Sequence, residues 1–140
     1  MHMTTGNSEV AATGLRVVLV EDHPGYLDQL REMLQALDDV RVVHTADNDR
    51  DAVQWLAAHP HDWDLLVLDI FLARGHGFKV LRTCGERHAD QRAVFLTSYT
   101  RDPARSQALA LGADAVFHKV DVAQFLQYVA TQRDSRLQHA

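Results

Sequence analysis

The stretch Asp64-Leu65-Leu66-Val67-Leu68-Asp69 decides the fold. Four apolar residues run without interruption and lead into a carboxylate. A run of that length reads as a strand buried on both faces, as in a parallel sheet covered by helices. Asp69 then stands at the carboxyl end of the strand, the edge at which open α/β sheets bind ligands. Taken alone, the same carboxylate could equally end the strand in a solvated turn. The other strand ends choose between the two.

Upstream, Leu15–Val20 reads as a first strand, with Arg16 its one polar residue, and it ends in Glu21-Asp22. Pro24 suits the first turn of a helix, and Leu27, Leu30, Met33, Leu34 and Leu37 recur at helical spacing. Residues 40–45 form a second strand. Ala46-Asp47-Asn48-Asp49 can cap the next helix, whose stripe is Ala52, Val53, Leu56 and Ala57. Downstream, residues 70–76 make a loop, and a helix from Phe78 to about Arg87 follows. Residues 93–96 are a fourth strand ending in Thr97-Ser98. Pro103 opens a helix that Gly112 closes in the left-handed conformation. Ala115–His118 is a fifth strand ending in Lys119, and Asp121 caps a last helix carrying Val122, Phe125, Leu126 and Val129. Five repeats of strand then helix, with short connections, predict a parallel sheet wrapped by helices on both faces. The folded domain spans 15–130, between a disordered N-terminal arm (1–14) and a frayed tail (131–140).

A chain of 140 residues suits one domain with one core. The net charge of −5 argues against a surface built for nucleic acid, which needs a clustered positive field. No apolar run approaches a membrane span, and no leader pattern points to secretion. The single cysteine, Cys84, fits a reducing cytoplasm and reads as a helix-packing thiol. The nine histidines are scattered without zinc-site spacing.

A parallel sheet brings all its strand ends to one edge. Glu21 and Asp22, Asp69, Thr97 with Ser98, and Lys119 therefore converge, so that four of five strands contribute. Clustered carboxylates repel one another and favour a cation between them. Hard oxygen donors suit magnesium, which also accepts phosphate oxygens. A central carboxylate can attack a phosphoryl donor and become an acyl phosphate, with Lys119 and Thr97 holding the remaining oxygens.

With these residues the sequence resembles the receiver domain of two-component response regulators, over nearly all of the folded region. The resemblance implies a flavodoxin-like three-layer α/β fold, a five-stranded parallel sheet in the order 2-1-3-4-5. It implies that Asp69 is the phosphoacceptor and that Glu21, Asp22, Asp69 and the backbone carbonyl of Phe71 hold Mg2+. It makes Thr97 the switch hydroxyl and Lys119 the family's lysine, and matches Gly77 and Gly112-Ala113-Asp114 to family positions. The implied partners are a sensor histidine kinase or histidine phosphotransfer protein, and a downstream protein target. That target binds the face of the fourth helix, fifth strand and fifth helix, where Arg101, Arg105, Gln107, Gln124, Gln127 and Tyr128 lie; a homodimer is another use of that face. A stand-alone, cytoplasmic, chemotaxis-regulator-like receiver is expected, without dedicated enzyme activity, direct nucleic-acid binding or membrane insertion.

Three positions depart from the family. Val120 stands where proline, commonly cis, follows the lysine, so Lys119 is expected to be displaced or its peptide strained. Val116 stands at the position of the family's rotating aromatic, and Phe117 beside it faces the opposite side and joins the core. Ala73 replaces a usual proline and is expected to loosen its loop. Phe71 and Tyr99 flank the path of the water that hydrolyses the family's acyl phosphate, and both are large enough to screen it. Rival readings are a receiver fold that signals without phosphorylation, a phosphatase using an aspartyl phosphate, and a flavodoxin-like cofactor binder. Phe71 occupies the place of the phosphatases' second acid, and no phosphate loop follows the first strand.

Overall fold

The computed structural model describes residues 14–84 and 86–138, so all but one residue of the expected N-terminal arm lies outside the described residues. β1 is Leu15–Val20, β2 Val40–Ala46, β3 Leu65–Leu68, β4 Arg92–Thr97 and β5 Ala115–His118. The helices are α1 (Pro24–Gln35), α2 (Asp49–Ala58), α3 (Gly77–Cys84), α4 (Ala104–Ala110) and α5 (Val122–Gln138). All strand pairs are parallel, in the order β2-β1-β3-β4-β5. The expected flavodoxin-like sheet is therefore the one observed.

The deciding strand is buried along its whole length. Its side chains alternate between two cores, as strand geometry requires. Leu66 and Leu68 join Val18, Val20, Ala93 and Phe95 beneath α2, α3 and α4. Leu65 and Val67 join Val17, Leu19, Val94 and Leu96 beneath α1 and α5. Each such aliphatic side chain contributes about 1.5–3 kcal/mol by leaving water. Polar alternation on either face would sacrifice one of the two cores. In β5, Val116 faces the first core and Phe117 the second, where Phe117 packs on Phe125 with ring centroids 5.8 Å apart.

Local chemistry sets the helix ends. His23 Nδ1 accepts the Tyr26 N–H at 3.1 Å and starts α1. The Asn48 side chain accepts the Asp51 N–H at 2.9 Å and starts α2. Gly112, at φ +100°, follows α4 in the left-handed region open to glycine.

Three boundaries differ from expectation. α3 stops at Cys84, short of Arg87, whose guanidinium instead donates to the Gly112 carbonyl at 2.8 Å and pairs with Asp114 at 3.2 Å. Asp121 lies inside a 3-10 turn, Lys119–Asp121, and the capping acceptor is His118 Nδ1, which takes the Val120 N–H at 3.1 Å. Residues 131–138, expected to fray, continue α5 as helix. Polar ties hold this last stretch where apolar periodicity fails: Arg133 Nη1 donates to the Asp38 carbonyl at 3.0 Å, and Arg136 pairs with Asp64 at 3.1 Å. Asp64, 3% exposed, also accepts the Arg16 N–H at 2.8 Å and Arg16 Nε at 3.1 Å.

β2 carries one irregularity. Val17 pairs with Val42, but Val18 pairs with His44, so Val43 is skipped. His44 stacks on Trp55 of α2, and Trp55 on His59, with centroid separations of 4.7 and 4.3 Å. Cys84 packs against the first core, and burial pushes its thiol up to about 11, as suits a structural cysteine.

Candidate functional site

The backbone ladder continues just past β1 and β3. Glu21 N–H donates to the Ala46 carbonyl and Asp69 N–H to the Val20 carbonyl, each at 3.0 Å. Both carboxylates are thus set by the sheet itself rather than by a mobile loop. Carboxylate oxygens of Glu21, Asp22 and Asp69 all lie within 4.8 Å of one another. Glu21 is 3% and Asp69 7% exposed, while Asp22 is half-buried.

Lys119 enters from the end of β5. Its Nζ lies 2.8 Å from Asp69 Oδ2 and 2.8 Å from Glu21 Oε1. The cis peptide among the described residues is Asp102–Pro103; the Lys119–Val120 peptide is trans. The expected displacement of Lys119 therefore does not keep it from Asp69. The remaining Asp69 oxygen, Oδ1, accepts the Ile70 N–H at 2.7 Å.

The charges here oppose burial. Burial raises the Glu21 carboxyl above its ordinary value, and neighbouring Asp69 adds to this, against the Lys119 hydrogen bond and the His23 N–H, which lower it. Burial works to lower Lys119, but its hydrogen bonds to Asp69 and Glu21 outweigh it and hold the ammonium above its ordinary value. The two directions are compatible because the Glu21 side chain is the more enclosed, at 4% exposed against 20% for Lys119.

Several hydrogen bonds tie the loop between β3 and α3. The Ala73 N–H donates to Asp22 Oδ2. The His76 N–H donates to Asp49 Oδ2 at 3.2 Å, and the Gly77 N–H to the Ile70 carbonyl at 2.8 Å. The loosening expected from Ala73 meets an opposing effect: proline has no N–H and could not make the bond to Asp22. Gly75, at φ +96°, turns the chain against Asp49.

Thr97 is fully buried at the end of β4, and its Oγ1 accepts the Tyr99 N–H at 3.2 Å. Phe71 and Tyr99 are 46% and 53% exposed, yet their rings meet edge to face with centroids 4.6 Å apart. They form an aromatic bridge between the loop after β3 and the loop after β4.

The structure brings Glu21, Asp22, Asp69 and Lys119 together, with Thr97 at the adjoining strand end and Phe71 on the adjoining loop. Sequence reasoning missed two residues around them. Asp49 was read only as part of a capping loop. Tyr26 carries no site signal in the sequence, yet its ring lies under Lys119 Nζ, 4.6 Å from centroid to nitrogen. No spacing rule links positions 26 and 119; they meet because the Lys119 side chain reaches across to Glu21 and Asp69, at the ends of β1 and β3, beside the first turn of α1.

Three hard carboxylate oxygens, an ammonium and a buried hydroxyl near one edge of a doubly wound sheet are a donor set suited to a small cation and to phosphate oxygens. The family model for the response regulator receiver domain matches residues 17–130, and the chain belongs to that family. Receiver domains serve two-component signalling, bind Mg2+, partner histidine kinases and are generally not dedicated enzymes. The acidic pocket of Glu21, Asp22 and Asp69 is consistent with the family's phosphorylation site.

Among curated proteins, the chain is 36% identical over 100 residues to the DNA-binding transcriptional activator DevR/DosR of Mycobacterium tuberculosis, covering 71% of this chain and 45% of that protein. It is 27% identical over 105 residues to the response regulator UvrY of Escherichia coli, covering 75% and 47%. The chain thus spans about half the length of the curated relatives it matches. Among solved structures, a LuxR-family two-component response regulator from Aurantimonas superimposes with a TM-score of 0.76 at 22% identity, covering 88% of this chain and 87% of that one. The response regulator domain of Thermotoga maritima CheB gives 0.74 at 19%, covering 86% and 97%. At these identities the solved structures speak to the fold. No helix among the described residues is long and apolar enough to cross a membrane.

Proposed function

We propose that this chain is a phosphorylation-controlled receiver that takes a phosphoryl group onto Asp69 from a phosphohistidine. The observation that carries this reading is Lys119 Nζ, seated 2.8 Å from both Asp69 and Glu21 beside a third carboxylate. An Asp69 oxygen attacks phosphorus, the phosphorus–nitrogen bond breaks, and the donor imidazole leaves with the bonding pair. Lys119 is then free to pair with a phosphoryl oxygen in place of the carboxylate oxygen it holds. Thr97 Oγ1 accepts the Tyr99 N–H with a lone pair, so its own O–H remains available to donate to a phosphoryl oxygen.

The donor set fits a small hard cation: three carboxylates supply oxygen, and Asp22 is the one open to solvent. Glu21, Asp22, Asp69 and the carbonyl of Phe71 are the residues that hold Mg2+ in this reading. When bound, Mg2+ neutralises charge on the transferring oxygens.

The output surface is the face of α4, β5 and α5, which exposes Arg101, Arg105, Gln124 and Gln127, with Leu109 43% and Val120 78% exposed. A downstream protein, or a second copy of the chain, binds there when Thr97 moves. Incubation with acetyl phosphate and Mg2+, followed by intact mass, tests the acceptor. A phosphoryl-sized gain that is lost on chelation and lost in Asp69→Asn is the expected result. No gain from either acetyl phosphate or a phosphohistidine protein overturns it in favour of signalling without phosphorylation.

A further inference from the structure

We infer that Tyr26 is a positioning residue for Lys119, holding the ammonium over the phosphoacceptor by giving it an aromatic face. The inference rests on reading Asp69 as that acceptor. The sequence after Lys119 provides little anchorage: Val120 is 78% exposed and buries almost nothing. The 3-10 turn is fixed at its start by the His118 imidazole, which holds the Val120 backbone N–H at 3.1 Å. The reach of Lys119 is therefore set by what surrounds its tip.

An ammonium has three donors. Two point to Asp69 and Glu21 at 2.8 Å each. The ring of Tyr26 lies 4.6 Å from the same nitrogen, within the range of attraction between a cation and an aromatic face. That face stabilises the charge without competing as a hydrogen-bond acceptor, so both carboxylate contacts survive. Tyr26 is itself held in place. Its N–H is bound by His23 Nδ1 at 3.1 Å, in the first turn of α1, and its ring packs against the core beneath α1 and α5.

The Tyr26 hydroxyl is closed off from solvent and has no hydrogen-bond partner among the described residues. An unpaired buried hydroxyl costs stability. The ring, then, and not the hydroxyl, does the positioning, and phenylalanine should serve as well.

The test uses the full chain and two readouts. The first is the initial rate of phosphoryl uptake from acetyl phosphate at saturating Mg2+. The second is the proton shift of the Lys119 ε-methylene by NMR without any donor, since a ring beneath the ammonium moves it upfield. Tyr26→Phe is expected to keep the rate within about twofold and to keep the upfield shift. Tyr26→Leu is expected to lower the rate about fivefold or more and to lose the shift; Tyr26→Met gives a second non-aromatic replacement should leucine not fold. Leucine or methionine at wild-type rate and shift overturns the inference, as does phenylalanine falling as far as leucine. If the wild-type chain takes up no phosphoryl group from acetyl phosphate or from a phosphohistidine protein, the reading of Asp69 has failed. The donor-free Lys119 shift then still decides whether Tyr26 holds the lysine.

Discussion

Gly77 faces the backbone of Asp69, and the space there can be measured. A Cβ at Gly77 would lie 2.0 Å from the Asp69 carbonyl oxygen, 3.0 Å from its carbon and 3.1 Å from Phe95 Cε1. Close carbon–oxygen contacts rarely fall below about 3.3 Å. Gly77→Ala thus demands a shift of more than about 1 Å. The obstacle is buried backbone, not the end of a side chain. It is also held, because the Asp69 N–H is bound to Val20 and the Gly77 N–H to Ile70, at 3.0 and 2.8 Å. The φ of Gly77 is not positive, so crowding alone sets the cost. Overpacking costs about 1–3 kcal/mol, and rigid backbone puts this case at the upper end. Alanine's better helix propensity returns at most about 1 kcal/mol. A net loss of about 2–3 kcal/mol lowers Tm by roughly 6–12 °C for a domain of this size. Thermal and urea unfolding followed by circular dichroism measures it. Gly25→Ala is the control, since its nearest obstacle is the His23 side chain at 3.3 Å. A Gly77→Ala protein melting within about 3 °C of wild type would refute the argument.

Three further outcomes follow from geometry already described. With Phe71 and Tyr99 in contact at 4.6 Å, Phe71→Asn and Tyr99→Glu should open the acyl phosphate to water and speed its decay after donor removal; unchanged or slower decay contradicts the screen. Asp64→Ala removes the acceptor of the Arg16 N–H and the carboxylate that Arg16 and Arg136 share, leaving them the His61 carbonyl and Asp90; it should cost about 2–3 kcal/mol, against about 1 kcal/mol for Arg136→Ala, both by urea titration, and equal costs would show that Asp64 is not the hub. Burial and nearby His59 hold His44 below its ordinary 6.5, so the unfolded chain takes up that proton first. The stability this gives is complete above about pH 6.5 and falls as pH drops through the window below it. His44→Phe keeps a ring on Trp55 and should narrow the difference in Tm between about pH 7.5 and pH 5.5; an unchanged difference rules the titration out.

The sheet and its edge were legible because they rest on local pattern. β3 shows as an apolar run, and parallel strands bring Glu21, Asp22, Asp69 and Lys119 to one edge whatever the details. What could not be read depends on distant partners. The last turns of α5 lack an apolar stripe and are held by Arg133 on the Asp38 carbonyl and Arg136 on Asp64. Ala73 looked like a loss of stiffness, because a missing proline is visible in sequence and a gained N–H bond to Asp22 is not. Tyr26 gave no signal, since its role exists only once Lys119 lies above its ring.

The skipped residue in β2 bears on how copies of this chain can meet. β2 and β5 are the two open rims of the sheet. An incoming strand needs an unbroken row of amide and carbonyl groups. On β2 the row is interrupted at Val43, after Val40, Arg41 and Val42. On the other rim, β5 offers four residues before the chain turns into its 3-10 segment. Neither rim is a good template for extending the sheet from one molecule into the next. Assembly is thereby steered toward helix faces, where it can be reversed, and away from sheet-to-sheet growth, which tends to run on into aggregates.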